Sequence, residues 1–154
     1  MRTLDALITE SPVFRGLEQD QLDLVAGCAS NVTFDAGERL FGEGDPADTF
    51  YLVRHGIVAV DTYVPNRGQL TIETAGPGEI VGWSWLVPPY RWHFTGRAVE
   101  AVRAVQFDGA CLRQKCEDDP LLGYDLLTRF AQVLVSRLEA THFQLMDVYG
   151  DRNE

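Results

Sequence analysis

Lysine is almost missing from this chain. Lys115 is the single one among 13 basic residues, which stand against 23 acidic ones for a formal net charge of −10. The arginines are scattered, whereas a duplex-binding surface draws much of its affinity from a clustered basic stripe over the phosphates. A nucleic-acid partner is therefore not expected. No apolar run reaches the roughly 18 residues that a membrane span needs, and Met1 to Glu10 carries acidic residues where a secretion signal has an apolar block. The chain is expected to be soluble and cytoplasmic, with no membrane partner.

Cysteine and histidine are also sparse. Cys28, Cys111 and Cys116 are odd in number and include no C-x-x-C pair, so neither a disulfide framework nor a zinc site is expected, and the three are read as buried thiols. His55, His93 and His142 form no H-x-H or H-E-x-x-H pair that would bring two imidazoles to one metal. Catalytic patterns are incomplete in the same way. Gly82-Trp83-Ser84-Trp85-Leu86 lacks the second glycine of a nucleophile elbow, and the glycines from Gly76 to Gly82 are not spaced as a dinucleotide fingerprint. No enzymatic activity, metal or cofactor is expected.

What is present has ordinary globular proportions. At 154 residues, 45% apolar and 23% charged, the chain is long enough for one core and is expected to form a single domain over 1–154. Thr3 to Ile8 predicts a short helix, broken at Ser11-Pro12. Leu17 to Ala29 predicts a second, with Leu22, Val25, Ala26 and Ala29 at helical spacing and Glu18, Asp20 and Asp23 where the dipole favours anions. From about residue 31 the period shortens. Asn31–Phe34, Glu38–Phe41, Thr49–Val53, Ile57–Tyr63, Gln69–Thr74 and Val102–Phe107 read as strands bounded by Gly, Pro, Asn and Asp turns, the pattern of a small antiparallel sandwich or barrel.

Helices return near residue 108. Asp108 is placed to cap a helix running through Leu112 and Cys116, and Asp119-Pro120 to start another. Leu127, Phe130, Leu134, Leu138, Thr141, Leu145 and Val148 then form one stripe at three-four spacing. The stripe outruns a domain of this size, so either a second copy covers it or the helix packs wholly on its own domain.

The densest punctuation is Gly76-Pro77-Gly78-Glu79-Ile80-Val81-Gly82-Trp83-Ser84-Trp85-Leu86, closed by Thr95-Gly96-Arg97-Ala98-Val99. Three glycines and a proline in seven residues turn the backbone and admit close approach to a ligand or another strand. Trp83, Trp85, Tyr90, Trp92 and Phe94 crowd the same segment, and pocket lining and plain packing both account for them. Alternate members Tyr90, Trp92 and Phe94 would share one face of an extended run.

The run from Gly76 to Leu86, with Arg91, resembles the phosphate-binding cassette of cyclic-nucleotide-binding domains, the sensor modules of the catabolite-activator and anaerobic-regulator class. The turns at Asp35-Ala36-Gly37-Glu38, Gly44 to Asp48 and His55-Gly56 resemble that family's β-roll. The resemblance implies an α+β fold: an antiparallel, jelly-roll-like β-roll over 31–107, N-terminal helices over 1–30 and C-terminal helices over 108–149. It implies a ligand site at Gly82, Trp83, Ser84, Arg91, Trp92 and Thr95 for an anionic, cyclic-nucleotide-like molecule. It also implies a homodimer along Leu127, Phe130, Leu134, Leu138 and Leu145. Two departures stand in the cassette: Trp83 occupies the place of the ribose-binding glutamate, and Trp92 that of the small hydroxyl residue after the arginine. The function implied is a non-catalytic sensor relaying ligand binding through the dimer helix to a protein partner. The alternative is a scaffold of the same fold that has lost its ligand. The family's winged helix-turn-helix would begin after Tyr149, and no such segment follows in this sequence.

Overall fold

Glu18 and Gln21 form a capping box, the Gln21 side chain accepting from the Glu18 amide at 3.3 Å, and this starts helix α2, Gln19–Ala26, which Gly27 ends. It follows α1, Leu4–Thr9, in the computed structural model, which describes residues 4–152. The strands come next: β1 Ala29–Phe34, β2 Arg39–Phe41, β3 Thr49–His55, β4 Val58–Val64, β5 Gly68–Ala75, β6 Ile80–Val81, β7 Thr95–Ala98 and β8 Val102–Asp108. They pair antiparallel into two four-stranded sheets, β1-β8-β3-β6 and β2-β7-β4-β5. This is the expected β-roll, flanked by the expected helices.

The first sheet has two covered faces, and side-chain alternation sorts it between two cores. Phe50 and Leu52 of β3 with Val105 and Phe107 of β8 meet the helices, joining Phe14, Leu112, Leu122, Leu126 and Phe130. Tyr51 and Val53 with Val102 and Ala104 face the inside of the roll, joining Phe41, Val60, Val81 and Ala98. In the second sheet the carboxylate of Asp61, 1% exposed, accepts from Arg97 Nε at 3.0 Å, Gln69 Nε2 at 3.0 Å and Thr71 Oγ1 at 2.6 Å. That ties β4 to both of its neighbours, since a buried charge needs partners to persist.

Asp108 caps α3, Gly109–Asp118, by accepting from the Cys111 amide at 3.0 Å, and Asp119 accepts from the Leu122 amide at the start of α4, Pro120–Arg152. The same cap overturns the reading of the cysteines. Ala29 pairs with Phe107, and the Asp108 amide donates to the Cys28 carbonyl at 2.8 Å, so the first turn of α3 lands beside the end of α2. Cys28 and Cys111 are joined there as a disulfide across 83 residues, and Cys116 remains a half-buried free thiol. Strand register, which no spacing rule over the cysteines reveals, brings them together.

Helix α4 corrects one member of the stripe. Phe130 is buried in its own domain, edge-on to Phe50 and Trp85 with centroids at 5.1 and 5.3 Å. Leu127, Leu138 and Leu145 are exposed and Leu134 is half-buried. The helix has two adjacent apolar faces, and three-four spacing does not separate them. One, through Leu122, Leu126 and Phe130, covers the core; the other, through Leu121, Tyr124, Leu127, Val135, Leu138 and Leu145, faces outward. Tyr149, the end of the predicted helix, has no described side chain; residues 1–3 and 153–154 lie outside the described residues.

Candidate functional site

The cassette turns back on itself before it reaches the roll. Glu79 accepts from the Gly76 amide at 3.0 Å, closing the turn that leads into β6. Gly82 then adopts φ +103°, a conformation that side-chain-bearing residues rarely take, and delivers Trp83 into a single 3₁₀ turn over Ser84–Leu86. After an irregular segment the chain re-enters the sheet at Thr95.

The three tryptophans of this segment part company. Trp85 is fully buried on the helix side, stacked on Phe50 with centroids 4.8 Å apart, and its indole N–H is a buried donor with no partner among the described residues. Trp92, 5% exposed, enters the roll and lies parallel to Phe41, centroid to centroid at 3.7 Å and 11° between planes. Trp83 is half-buried at the roll's rim and stacks on His93 at 4.9 Å. Ser84, buried, is hydrogen bonded to His93 Nδ1 at 3.2 Å. Trp85 thus packs in the helix-side core, Trp92 in the roll's core and Trp83 at its rim.

The space left around Trp92 is a cavity of about 20 Å³ bounded by Phe41, Val60, Val81, Gly82, Trp83, Ser84, His93 and Phe94, with Glu73 and Arg137 at its edge. Beside Phe41, with ring centroids 6.3 Å apart, lies Tyr51, whose hydroxyl donates to the Leu40 carbonyl at 3.2 Å and whose pKa burial pushes above the usual phenol range. Arg137 projects from α4, hydrogen bonds the Ile80 carbonyl and approaches Glu73 at 3.8 Å. Among the described residues it is the one direct polar link between α4 and the roll's rim.

Of the six predicted ligand residues, the structure brings Gly82, Trp83, Ser84 and Trp92 to this cavity. Arg91 is exposed and donates to the Gly44 carbonyl at 3.0 Å, outside the cavity. Thr95 is buried, but its hydroxyl accepts from the Glu43 amide at 3.1 Å and it lines a separate polar recess with Arg39, Asp61 and Gln69. Tyr90 also leaves the expected common face: its φ is +57° and its ring lies under the Arg113 guanidinium at 4.2 Å, because residues 87–94 are irregular rather than extended. Sequence reasoning did not pick out Phe41, Val60, Glu73 or Arg137. An aromatic residue just before the Gly42 turn is a faint local sign for Phe41; nothing local marks Arg137.

A cyclic nucleotide-binding domain is the family description that matches this chain, over residues 31–119. The chain belongs to that family. A CRP-like cAMP-activated global transcriptional regulator of Mycobacterium tuberculosis is 26% identical over 145 residues, 94% of this chain and 63% of the regulator. The nitrogen fixation regulation protein FixK of Bradyrhizobium diazoefficiens is 27% identical over 87% of this chain and 54% of its own length. The crystal structure of a putative cyclic nucleotide-binding protein from Geobacter metallireducens superposes with a TM-score of 0.80 at 30% identity, over 90% of this chain and 99% of that one. The chain thus spans less than two thirds of the curated relatives it matches most fully. This cyclic nucleotide-binding domain belongs to a regulatory, ligand-sensing family and not a catalytic one. No helix among its described residues is long and apolar enough to cross a membrane.

Proposed function

We propose that this chain is a regulatory sensor domain that works as a cytoplasmic homodimer through α4, with its roll closed to cyclic nucleotides by its own Trp92. The observation that carries the reading is the Trp92 ring against Phe41, which leaves a cavity of about 20 Å³. That is room for about one water molecule, whereas a small-molecule site offers about 300 Å³ or more. The polar contacts of a nucleotide are missing as well. Arg91 is engaged with Gly44 at the surface, Glu79 with Gly76, and Trp83 offers a ribose hydroxyl no carboxylate. A small anion would meet Arg91 only at the surface, outside the cavity. Leaving a buried hydroxyl unpaired costs about 1–3 kcal/mol, or one to two decades of affinity.

The outward face of α4 supports pairing of two copies, since an apolar stripe of this length rimmed by polar residues marks an interaction surface. The net charge of −10 favours a protein as the further partner over nucleic acid. Calorimetry with cyclic AMP should give no binding at micromolar concentrations, and binding that Arg91→Ala abolishes would overturn the closed-roll reading. Light scattering should show a dimer that Leu138→Asp converts to a folded monomer; a monomeric wild type would remove the relay. A second reading, a scaffold that has lost its ligand, is favoured by the same filled cavity. It differs in requiring that Trp92 never leaves.

A further inference from the structure

Two glycine backbones and two aromatic rings form one continuous stack inside the roll. A Cβ on Gly96 would fall 2.5 Å from Phe41 Cε1, and one on Gly82 would fall 2.7 Å from Trp92 Cη2. Both ends of the stack are therefore backbone at closest approach, with the parallel rings of Phe41 and Trp92 between them. The slot that Trp92 occupies is one ring thick. Its walls are the Phe41 ring on one side and the Gly82 backbone on the other, and its rim carries Ser84, His93, Glu73 and Arg137, the last two 3.8 Å apart so that their charges offset each other.

Trp92 reaches this slot from an irregular segment. Its backbone is held by the 43–46 turn, the Gly44 amide donating to its carbonyl at 2.8 Å and its own amide donating to the Asp45 carbonyl at 2.9 Å. Rotation of the side chain out of the slot leaves both of these bonds in place. What would remain is a flat cavity of indole shape with the Phe41 ring as one wall and the Gly82 backbone as the other, and a vacated, largely apolar cavity binds aromatic rings.

We infer that the slot is a binding site for an uncharged, planar, bicyclic aromatic compound of about the size of indole, which enters by displacing Trp92. The inference rests on the sensor reading above. Planarity follows from the single-ring thickness, which rejects a ribose phosphate; neutrality follows from the paired charges at the rim, since an added ionic group would enter without a free counter-charge. The incoming ring recovers the stacking on Phe41 that Trp92 gives up. It competes with a tethered copy of itself, whose effective concentration is on the order of millimolar, so wild-type affinity is lowered by the fraction of molecules with the slot open. Arg137 places α4 against the occupant's edge and gives the exchange a direct path to the dimer helix.

The test uses the full chain labelled with 5-fluorotryptophan and titrated with indole, followed by fluorine NMR. The chain has three tryptophans, and the Trp92 resonance is the one missing in Trp92→Phe. Indole should move that resonance saturably towards the position of a solvent-exposed fluorotryptophan. Calorimetry on Trp92→Gly should show indole bound about tenfold or more tighter than by wild type, because the tethered competitor is gone. An unchanged Trp92 resonance in the wild-type protein up to the solubility of indole overturns the inference, whatever the variant does. Tighter binding of indole-3-acetate than of indole overturns the neutral class. If Trp92 leaves its slot while amide exchange in α4 around Arg137 stays constant, the site stands and the sensor reading falls.

Discussion

Trp85 and Trp92 come from one segment of chain and end in different cores. Trp85 joins Phe14, Phe50, Phe107 and Phe130 on the helix side, where strands, the 3₁₀ turn and α4 all close over it. Trp92 joins the roll's interior beside a small cavity whose edge is polar and carries charged groups. The first position is enclosed by packed apolar groups on every side; the second is a ring in a slot with a way out. The same residue type is thus mortar in one region and an occupant in the other, and what separates them is the composition of the surrounding wall.

The largest expected effect sharpens this contrast. Trp85→Ala should destabilise the fold by about 3–5 kcal/mol in denaturant titration, as for a fully enclosed aromatic. Trp92→Ala should cost less, about 1–3 kcal/mol, because water can enter from the polar rim. Equal losses would break the comparison and make Trp92 ordinary core.

The next effect concerns only the helix-side core. Reducing the Cys28–Cys111 bond should lower stability by about 2–4 kcal/mol, since it frees a long loop in the unfolded chain, while Trp92 keeps its fluorescence environment. Thiol titration of the denatured protein should give one reactive group without reductant and three after reduction. A change in Trp92 emission on reduction would show that the two cores are not independent.

The smallest effect is at Cys116. Burial, and then the charge of Asp119, raise the pKa of its thiol above the ordinary value. The neutral form is thereby favoured in the folded state, a contribution present below the unfolded pKa and lost as pH rises through the folded one. Alkylation near pH 8 should run several-fold slower than for a free thiol and recover in denaturant, because the thiolate is the reacting species. An unretarded rate would mean that the α3–α4 junction opens readily.

Much of the fold was legible because its signals are local. Asp108 and Asp119-Pro120 announce helix starts through capping geometry, and both act as read. The glycine turns bound the six expected strands to within two residues at each end. The candidate site was legible in outline only. Gly82, Trp83, Ser84 and Trp92 meet at the roll's cavity, whereas Arg91 turns elsewhere because its irregular segment does not obey the alternation of a strand, and Thr95, already in β7 opposite Asp61, faces the other recess. The outer face of α4 was visible as a stripe, yet Phe130 belonged to the neighbouring face.

The sequence by itself determined the element order, the helix caps, the turns of the roll and the membership of a cyclic-nucleotide-binding lineage, since each rests on residues within a few positions of one another. Only the tertiary structure decided which tryptophan fills the roll, that Arg137 and Glu73 meet at its rim, and that Cys28 and Cys111 bond. Those contacts join residues 51, 64 and 83 positions apart, Phe41 with Trp92, Glu73 with Arg137 and Cys28 with Cys111. Distances of that kind are fixed by strand register and helix packing, to which no local spacing is sensitive.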